Sequence, residues 1–183
     1  MTTPALLVID VQNAIDDPVW GRRGQPDMEG NIATLLDAWR ARRLPIVHIR
    51  HDSTDLTSPY RPGTPGNEFK AEVAPQPGEP VVDKRTNSAF IGTDLMDVLD
   101  ELQVHRLVMT GVLLENSVEA TARMAGNLGF EVVIAEDAVA SVDRTDRRGR
   151  HWPAADGPAL TLALLENEYA QISDTRSLIE ALP

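Results

Sequence analysis

Three residues whose side chains can take part in bond cleavage each stand where an apolar run ends: Asp10, Lys84 and Ser117. Ser117 lies in the stretch Leu107 to Phe130, LVMTGVLLENSVEATARMAGNLGF. The pattern predicts an apolar strand from Leu107 to Thr110, a turn at Gly111, and a helix from about Glu115 to Leu128 that Gly129 ends. A strand that leads straight into a helix aims the helix's unpaired N–H groups, with their partial positive charge, at whatever lies above the strand end. A hydroxyl placed there meets a site able to hold an oxyanion. Asp10 closes the run Ala5 to Ile9, and in open α/β sheets the ligand crevice lies outside such strand ends. A helix N-cap or an ordinary loop aspartate accounts for that position equally well. Lys84 follows Val81 and Val82, and an isolated lysine is nearly always a solvated charge.

The elements that must position these residues follow from periodicity. Ala5 to Ile9 is wholly apolar, the habit of a strand buried on both faces of a parallel sheet. Met28 to Arg43 carries Ile32, Leu35, Leu36 and Trp39 as a helical stripe, and Pro45 to Ile49 is the next strand. Strand, helix, strand in that order implies a right-handed parallel crossover. Further along, Leu95 to Leu102 reads as a helix capped by Thr93 or Asp94, Val132 to Ala135 as a strand, and Leu160 to Asn167 as a helix. Ala170 to Ile172 is the last strand, and Ser173 or Asp174 begins a terminal helix through Leu182. Alternation of this kind defines an α/β, three-layer, doubly wound sheet in one domain over residues 1–183. Two stretches are not periodic. The loop Asp16 to Pro26 holds Trp20, which either walls a pocket or covers the core edge. Residues 50–80 are rich in proline and glycine, more often a functional covering loop or a partner contact than slack chain.

Composition removes other classes. With 183 residues, 42% hydrophobic and 25% charged, the chain can bury a full core. Its net charge of −11, without a basic run interleaved with aromatics, argues against nucleic-acid binding. No apolar stretch approaches the ~20 residues of a membrane span, and MTTPALLVID has no basic leader, so a cytoplasmic location with no membrane partner is expected. Zero cysteines exclude disulfides and thiolate metal sites. His48, His51 and Asp52 form the one run worth testing as metal ligands, but strand alternation turns the two histidines to opposite faces. Polar packing is the expected role, with no metal and no cofactor. Arg144, Arg147, Arg148 and Arg150 lie in the polar segment Ser141 to Asp156, read as a solvated loop, with an anion-recognising rim as the alternative.

Gly-x-x-x-Glu-x-Ser-Val from Gly111, followed by Ala-Thr-Ala-Arg-Met-Ala-Gly-Asn-Leu-Gly-Phe, resembles the nucleophile segment of the isochorismatase-like cysteine hydrolases, which include nicotinamidases, N-carbamoylsarcosine amidase and biuret hydrolase. That family usually reads Gly-x-x-Thr-(Asp/Glu)-x-Cys-Val, so Leu114 stands at the usual Thr and Ser117 at the usual Cys. VIDVQN resembles the family's Asp-x-Gln segment, and Lys84 with the following Asn-Ser-Ala-Phe its second catalytic segment. The resemblance covers nearly the whole chain and implies strand order 3-2-1-4-5-6, which would bring Asp10, Lys84 and Ser117 together. It also implies an oxyanion held by the N–H groups of Leu113 and Ser117 across a cis Val112–Leu113 peptide, and substrate contacts from Gln12, Trp20, Asn87 and Phe90. A core role for Phe90 is equally open. A homo-oligomer, dimer or tetramer, is implied as well, with the Pro-rich loop near the active site and the subunit contacts.

In the family's amidases the carboxylate takes the thiol proton, the lysine keeps the carboxylate ionised and helps stabilise developing charge, and the thiolate attacks a carboxamide carbon. Serine alters the first step, because an alcohol is a far weaker acid than a thiol and needs an active partner. Three readings follow. The chain is a hydrolase of the C–N bond of a small amide, ureide or lactam whose nucleophilic Cys is replaced by Ser117. Alternatively, serine is native and Asp10 hydrolyses an isochorismate-like ether by acid/base chemistry. The third reading is a non-catalytic small-molecule binder on the same fold.

Overall fold

Eight strands and five α-helices are laid out in a computed structural model that describes residues 3–183. Met1 and Thr2, on which part of the leader reading rests, lie outside it. The main sheet is built from β1 (Pro4–Ile9), β2 (Ile46–His51), β3 (Val81–Lys84), β4 (Arg106–Val112), β5 (Glu131–Ala140) and β8 (Gln171–Ser173). All its pairings are parallel, in the order β3-β2-β1-β4-β5-β8. The expected order 3-2-1-4-5-6 holds, and the sixth sheet strand is β8 only because β6 (Arg144–Thr145) and β7 (His151–Trp152) form a separate antiparallel hairpin.

Alternation along β1 divides the core. Ala5, Leu7 and Ile9 join Leu95 and Leu99 of α2 (Leu95–Glu101), Ala122 and Ala125 of α3 (Glu119–Asn127), and Leu165 of α4 (Gly157–Leu165) on one face. Leu6 and Val8 join Ile32, Leu35, Leu36 and Trp39 of α1 (Met28–Arg42) and Leu178 of α5 (Thr175–Glu180) on the other. Each such side chain is fully or nearly fully buried, and burial of this kind contributes roughly 1.5–3 kcal/mol per large aliphatic residue. At the start of α5, Asp174 accepts the Ser177 N–H at 2.8 Å, the expected cap. At α2 the cap geometry comes from Thr93, whose Oγ1 accepts the Leu95 N–H at 3.4 Å, while the Asp94 side chain makes no capping bond. Leu128, the expected last residue of that helix, is 47% exposed, and α3 ends one residue before it. Gly126 packs against the Tyr169 backbone.

The expected turn at Gly111 is absent. β4 runs on to Val112, and its register against β5 shifts between Met109 and Gly111. Gly111 takes φ +112, and a Cβ there would stand 2.1 Å from the Ile9 carbonyl oxygen. Only glycine lets β4 pass β1 this closely at a positive φ. Among the described residues no helix is long and apolar enough to cross a membrane.

The connection from β2 to β3 is tied to α1 by charge. Arg40 donates Nε and Nη2 to the two carboxylate oxygens of Glu79 at 2.7 and 3.0 Å, and the Gln76 N–H adds 2.8 Å. Fully buried His48 lies 2.8 Å from Glu79 through Nε2. Burial opposes the charge on Glu79, but these hydrogen bonds outweigh it and hold the carboxyl at about 2, against an ordinary 4.5. Burial pushes His48 down, so the neutral ring donates from Nε2. A depressed folded pKa gives stability that is complete above the unfolded value and lost as protons return. Stability of the native chain should therefore fall between pH 4.5 and about 2, and acid titration of urea unfolding should show a shallower fall for Glu79→Gln.

Candidate active site

Asp10, Lys84 and Ser117 meet above the C-terminal ends of β1, β3 and β4. Asp10 leaves β1 with φ +57, a left-handed conformation that aspartate tolerates better than most residues. Its N–H donates to the Ile49 carbonyl at 2.9 Å, and its own carbonyl accepts the Tyr60 hydroxyl at 3.3 Å. Lys84 closes β3, where it is paired in register with His51 of β2. Its ammonium is fully buried and donates to Asp10 Oδ2 at 2.7 Å, Thr86 O at 3.0 Å and Ser117 Oγ at 3.1 Å. Three protons thus meet three oxygens, with His51 Nδ1 a longer neighbour at 3.4 Å. Asp10 Oδ1 is buried and has no partner among the described residues.

Ser117 sits in a π-helical turn, Leu114–Val118, that runs into α3. The Asn116 and Val118 N–H groups both donate to the Leu113 carbonyl, at 3.0 and 3.2 Å. Turns of this kind widen the helix and often mark functional positions. The Val112–Leu113 peptide is cis, as the resemblance implies. Thr121 fastens the serine to the neighbouring segment: its hydroxyl donates to Ser117 O at 2.7 Å and accepts the Ala89 N–H at 3.0 Å. Leu114, at the usual Thr, is fully buried in the core.

A cavity of about 270 Å³ opens over this cluster. Asp10, Ser117, Val112, Leu113 and Asn116 line its floor side, and Trp20, Asn87, His51 and Tyr60 line its walls. Trp20 thus walls a pocket; its indole N–H donates to Ala14 O at 2.8 Å, and its ring meets Tyr60 edge-on at 5.9 Å. The covering loop adds Ser53, Asp55, Ser58 and Tyr60. That loop is pinned by buried Asn67, which donates to His51 O at 3.0 Å and Tyr60 O at 3.1 Å, and by Lys70, which bridges Asp16 at 2.5 Å and Glu29 at 2.8 Å. Burial lowers the pKa of His51.

Two expected substrate contacts lie elsewhere. Gln12 is fully buried outside the lining, with Nε2 donating to His51 O and Asn67 O and Oε1 accepting the His51 N–H at 2.8 Å. Its amide is spent on holding β2 and the loop. Phe90 packs on the core with its ring 5.8 Å from Phe130, outside the cavity lining. His48 and His51 do face different surroundings, Glu79 with Phe69 for the first and the cavity for the second. The arginine hairpin is exposed and outside the cavity lining; Arg150 stacks on Trp152 at 3.6 Å and Arg144 approaches Glu115 at 3.7 Å. Of the residues sequence reasoning missed, His51 was flagged only as a ligand candidate, and Tyr60 and Asp55 sit in a loop without periodicity.

The doubly wound parallel sheet that gathers Asp10, Lys84 and Ser117 at its strand ends is also that of a known hydrolase family. The isochorismatase domain model matches residues 4–158, and the chain belongs to the isochorismatase family of hydrolases. It is 36% identical over 175 residues to the isochorismatase family protein YrdC of Bacillus subtilis, covering 96% of this chain and 94% of that one. Nicotinamidase 3 of Arabidopsis thaliana is 31% identical over 150 residues, 75% of this chain and 73% of that one. A solved isochorismatase-family structure from Chromobacterium violaceum superposes with TM-score 0.94 at 52% identity, covering 98% and 93% of the two chains.

If Gln12 positions rather than binds, Gln12→Leu should leave the His51 N–H and the Asn67 carbonyl unpaired and cost about 2–4 kcal/mol. Asn87→Ala, at an exposed cavity residue, should stay within about 0.5 kcal/mol of the parent. Equilibrium urea unfolding of the two variants checks both.

Proposed function

We propose that the site hydrolyses the C–N bond of a small amide, ureide or lactam, with Ser117 standing where the nucleophilic thiol of the family belongs. The observation that carries this reading is the single buried ammonium shared by Asp10 Oδ2 at 2.7 Å and Ser117 Oγ at 3.1 Å. A positive charge against the nucleophile favours its deprotonated form. Asp10 Oδ1, without a partner, is free to take that proton and return it to the leaving nitrogen. The N–H groups of Leu113 and Ser117 are the donors for the tetrahedral oxyanion, each worth ~10²–10³ in rate where such donors have been removed. A thiol would be readily ionised in this setting, whereas an alcohol is too weak an acid for a carboxylate to activate well. The Ser117 chain is therefore a slow or trapped form of the site. The nicotinamidase relative supports the amide class.

The ether reading would need a wall suited to an isochorismate-like dicarboxylate. The charged groups lining this cavity are instead Asp10 and Asp55, which favours the amide. In the same reading the partner is a small-molecule substrate, and the chain works in the cytoplasm as a homo-oligomer, dimer or tetramer.

Ammonia release from a panel of small amides and ureides, measured side by side, tests the proposal. Ser117→Cys should release ammonia at least ~10²-fold faster than the parent. Asp10→Asn or Lys84→Met in that background should abolish the gain. Equal rates from Ser and Cys forms, lost in Asp10→Asn, would instead assign a non-covalent mechanism to Asp10. Ligand affinity without turnover in either form would assign a binding protein.

A further inference from the structure

The cavity has a bias of charge that the reaction type does not require. Asp10, 4% exposed, lines it with an unpartnered Oδ1, and the charge of that carboxylate is matched by Lys84 behind it. Asp55 has no such match. It stands exposed on the covering loop, and none of the ion pairs among the described residues involves it. Its Oδ1 accepts the Thr57 N–H and the Thr57 hydroxyl, both at 2.8 Å. These bonds hold the carboxyl below its ordinary range and fix its direction, leaving Oδ2 unspent. His51, lowered by burial, adds no charge near neutral pH. Trp20 and Tyr60 line the same cavity, and aromatic faces attract cations. The chain as a whole carries a net charge of −11, which favours the approach of cations over anions. The four arginines of the β6–β7 hairpin are not part of the lining.

We propose that the cavity selects amides carrying a second, positively charged group, an ammonium or guanidinium, which pairs with Asp55 at the exposed mouth while the carboxamide lies at Asp10 and Ser117. This selection rests on the amide reading of the site, and extends it from reaction type to substrate class. Asp55 is here a specificity-determining residue, remote from the bond that breaks. An uncharged amide gains nothing from it, and an anionic one is repelled.

Three primary amides of one chain length separate the possibilities: 6-aminohexanamide, hexanamide and the monoamide of adipic acid. Their binding to the chain as it stands is read by calorimetry at low salt, and ammonia release is read with Ser117→Cys. Affinity should fall in the order ammonium, methyl, carboxylate, with the ammonium form ahead of the methyl form by roughly three- to tenfold. Asp55→Asn, which keeps an acceptor for Thr57, should bring that ratio close to one. Asp97→Asn, an equal loss of charge at an exposed residue of α2 outside the cavity lining, should leave the ratio in place. Equal affinity of the three amides, absence of binding by all of them, or a preference that survives Asp55→Asn would each overturn the proposal. Charge-selective binding without ammonia release would sink the amidase reading and keep the selection. Release from all three amides at equal rates would keep the amidase and sink the selection.

Discussion

One buried ion pair governs the rest of the site. The Lys84 ammonium and the Asp10 carboxylate, 2.7 Å apart, have 0% and 6% of their side chains exposed. Burying two such charges costs several kcal/mol each, and their attraction offsets this only when the remaining hydrogen-bond capacity is also met. Thr86 O and Ser117 Oγ meet it for the lysine. The partners come from β1, from the segment after β3 and from the turn after β4, so the pair is satisfied only where these three ends converge. β2 lies between β1 and β3 in the sheet. A side chain anchored on β3 must therefore cross the end of β2 to reach Asp10, which the four methylenes of lysine allow. Removing either partner would strand the other charge, at a cost of about 3–5 kcal/mol.

Gln12, Asn67 and Tyr60 keep that convergence narrow. Gln12 and Asn67 both bond to the His51 carbonyl, and Tyr60 reaches back to the Asp10 carbonyl. The Pro-rich stretch is thus a fixed wall with its own polar core, closed on its outer side by Lys70 between Asp16 and Glu29. Glu29 also holds Arg23 through two bonds at 2.6 and 3.0 Å, so the charges of this latch are mutually satisfied. A wall held this firmly suits selection among small substrates by shape and charge.

How much of this was legible depends on whether a residue's role is local. The stripe Ile32, Leu35, Leu36, Trp39 and the apolar run of β1 announce burial through periodicity alone, and both are fully buried. Strand order, the cis Val112–Leu113 peptide and the meeting of Asp10, Lys84 and Ser117 came from resemblance, because no spacing in one sequence encodes contacts between positions 33 to 107 residues apart. Gly111 was misread for a physical reason. Glycine signals a turn in most contexts, yet here it serves the close passage of β4 over Ile9, a tertiary demand invisible locally. The position of Gln12 was hidden in the same way, since an amide bonded to buried backbone and an amide awaiting substrate look alike in sequence. Asp55 and Tyr60 gave no periodic signal and become legible only once the loop is folded over the strand ends.

The absence of cysteine from the chain gives the central claim a direct measurement. Ser117→Cys places a single thiol where Ser117 Oγ meets Lys84, and its ionisation can be followed by thiolate absorbance as pH is varied. If the shared ammonium is what prepares the nucleophile, that thiol should ionise well below the ordinary value of about 8.5 and return towards it in the double variant with Lys84→Met. A thiol that titrates at or above about 8.5, or one whose titration is indifferent to Lys84→Met, would contradict the account.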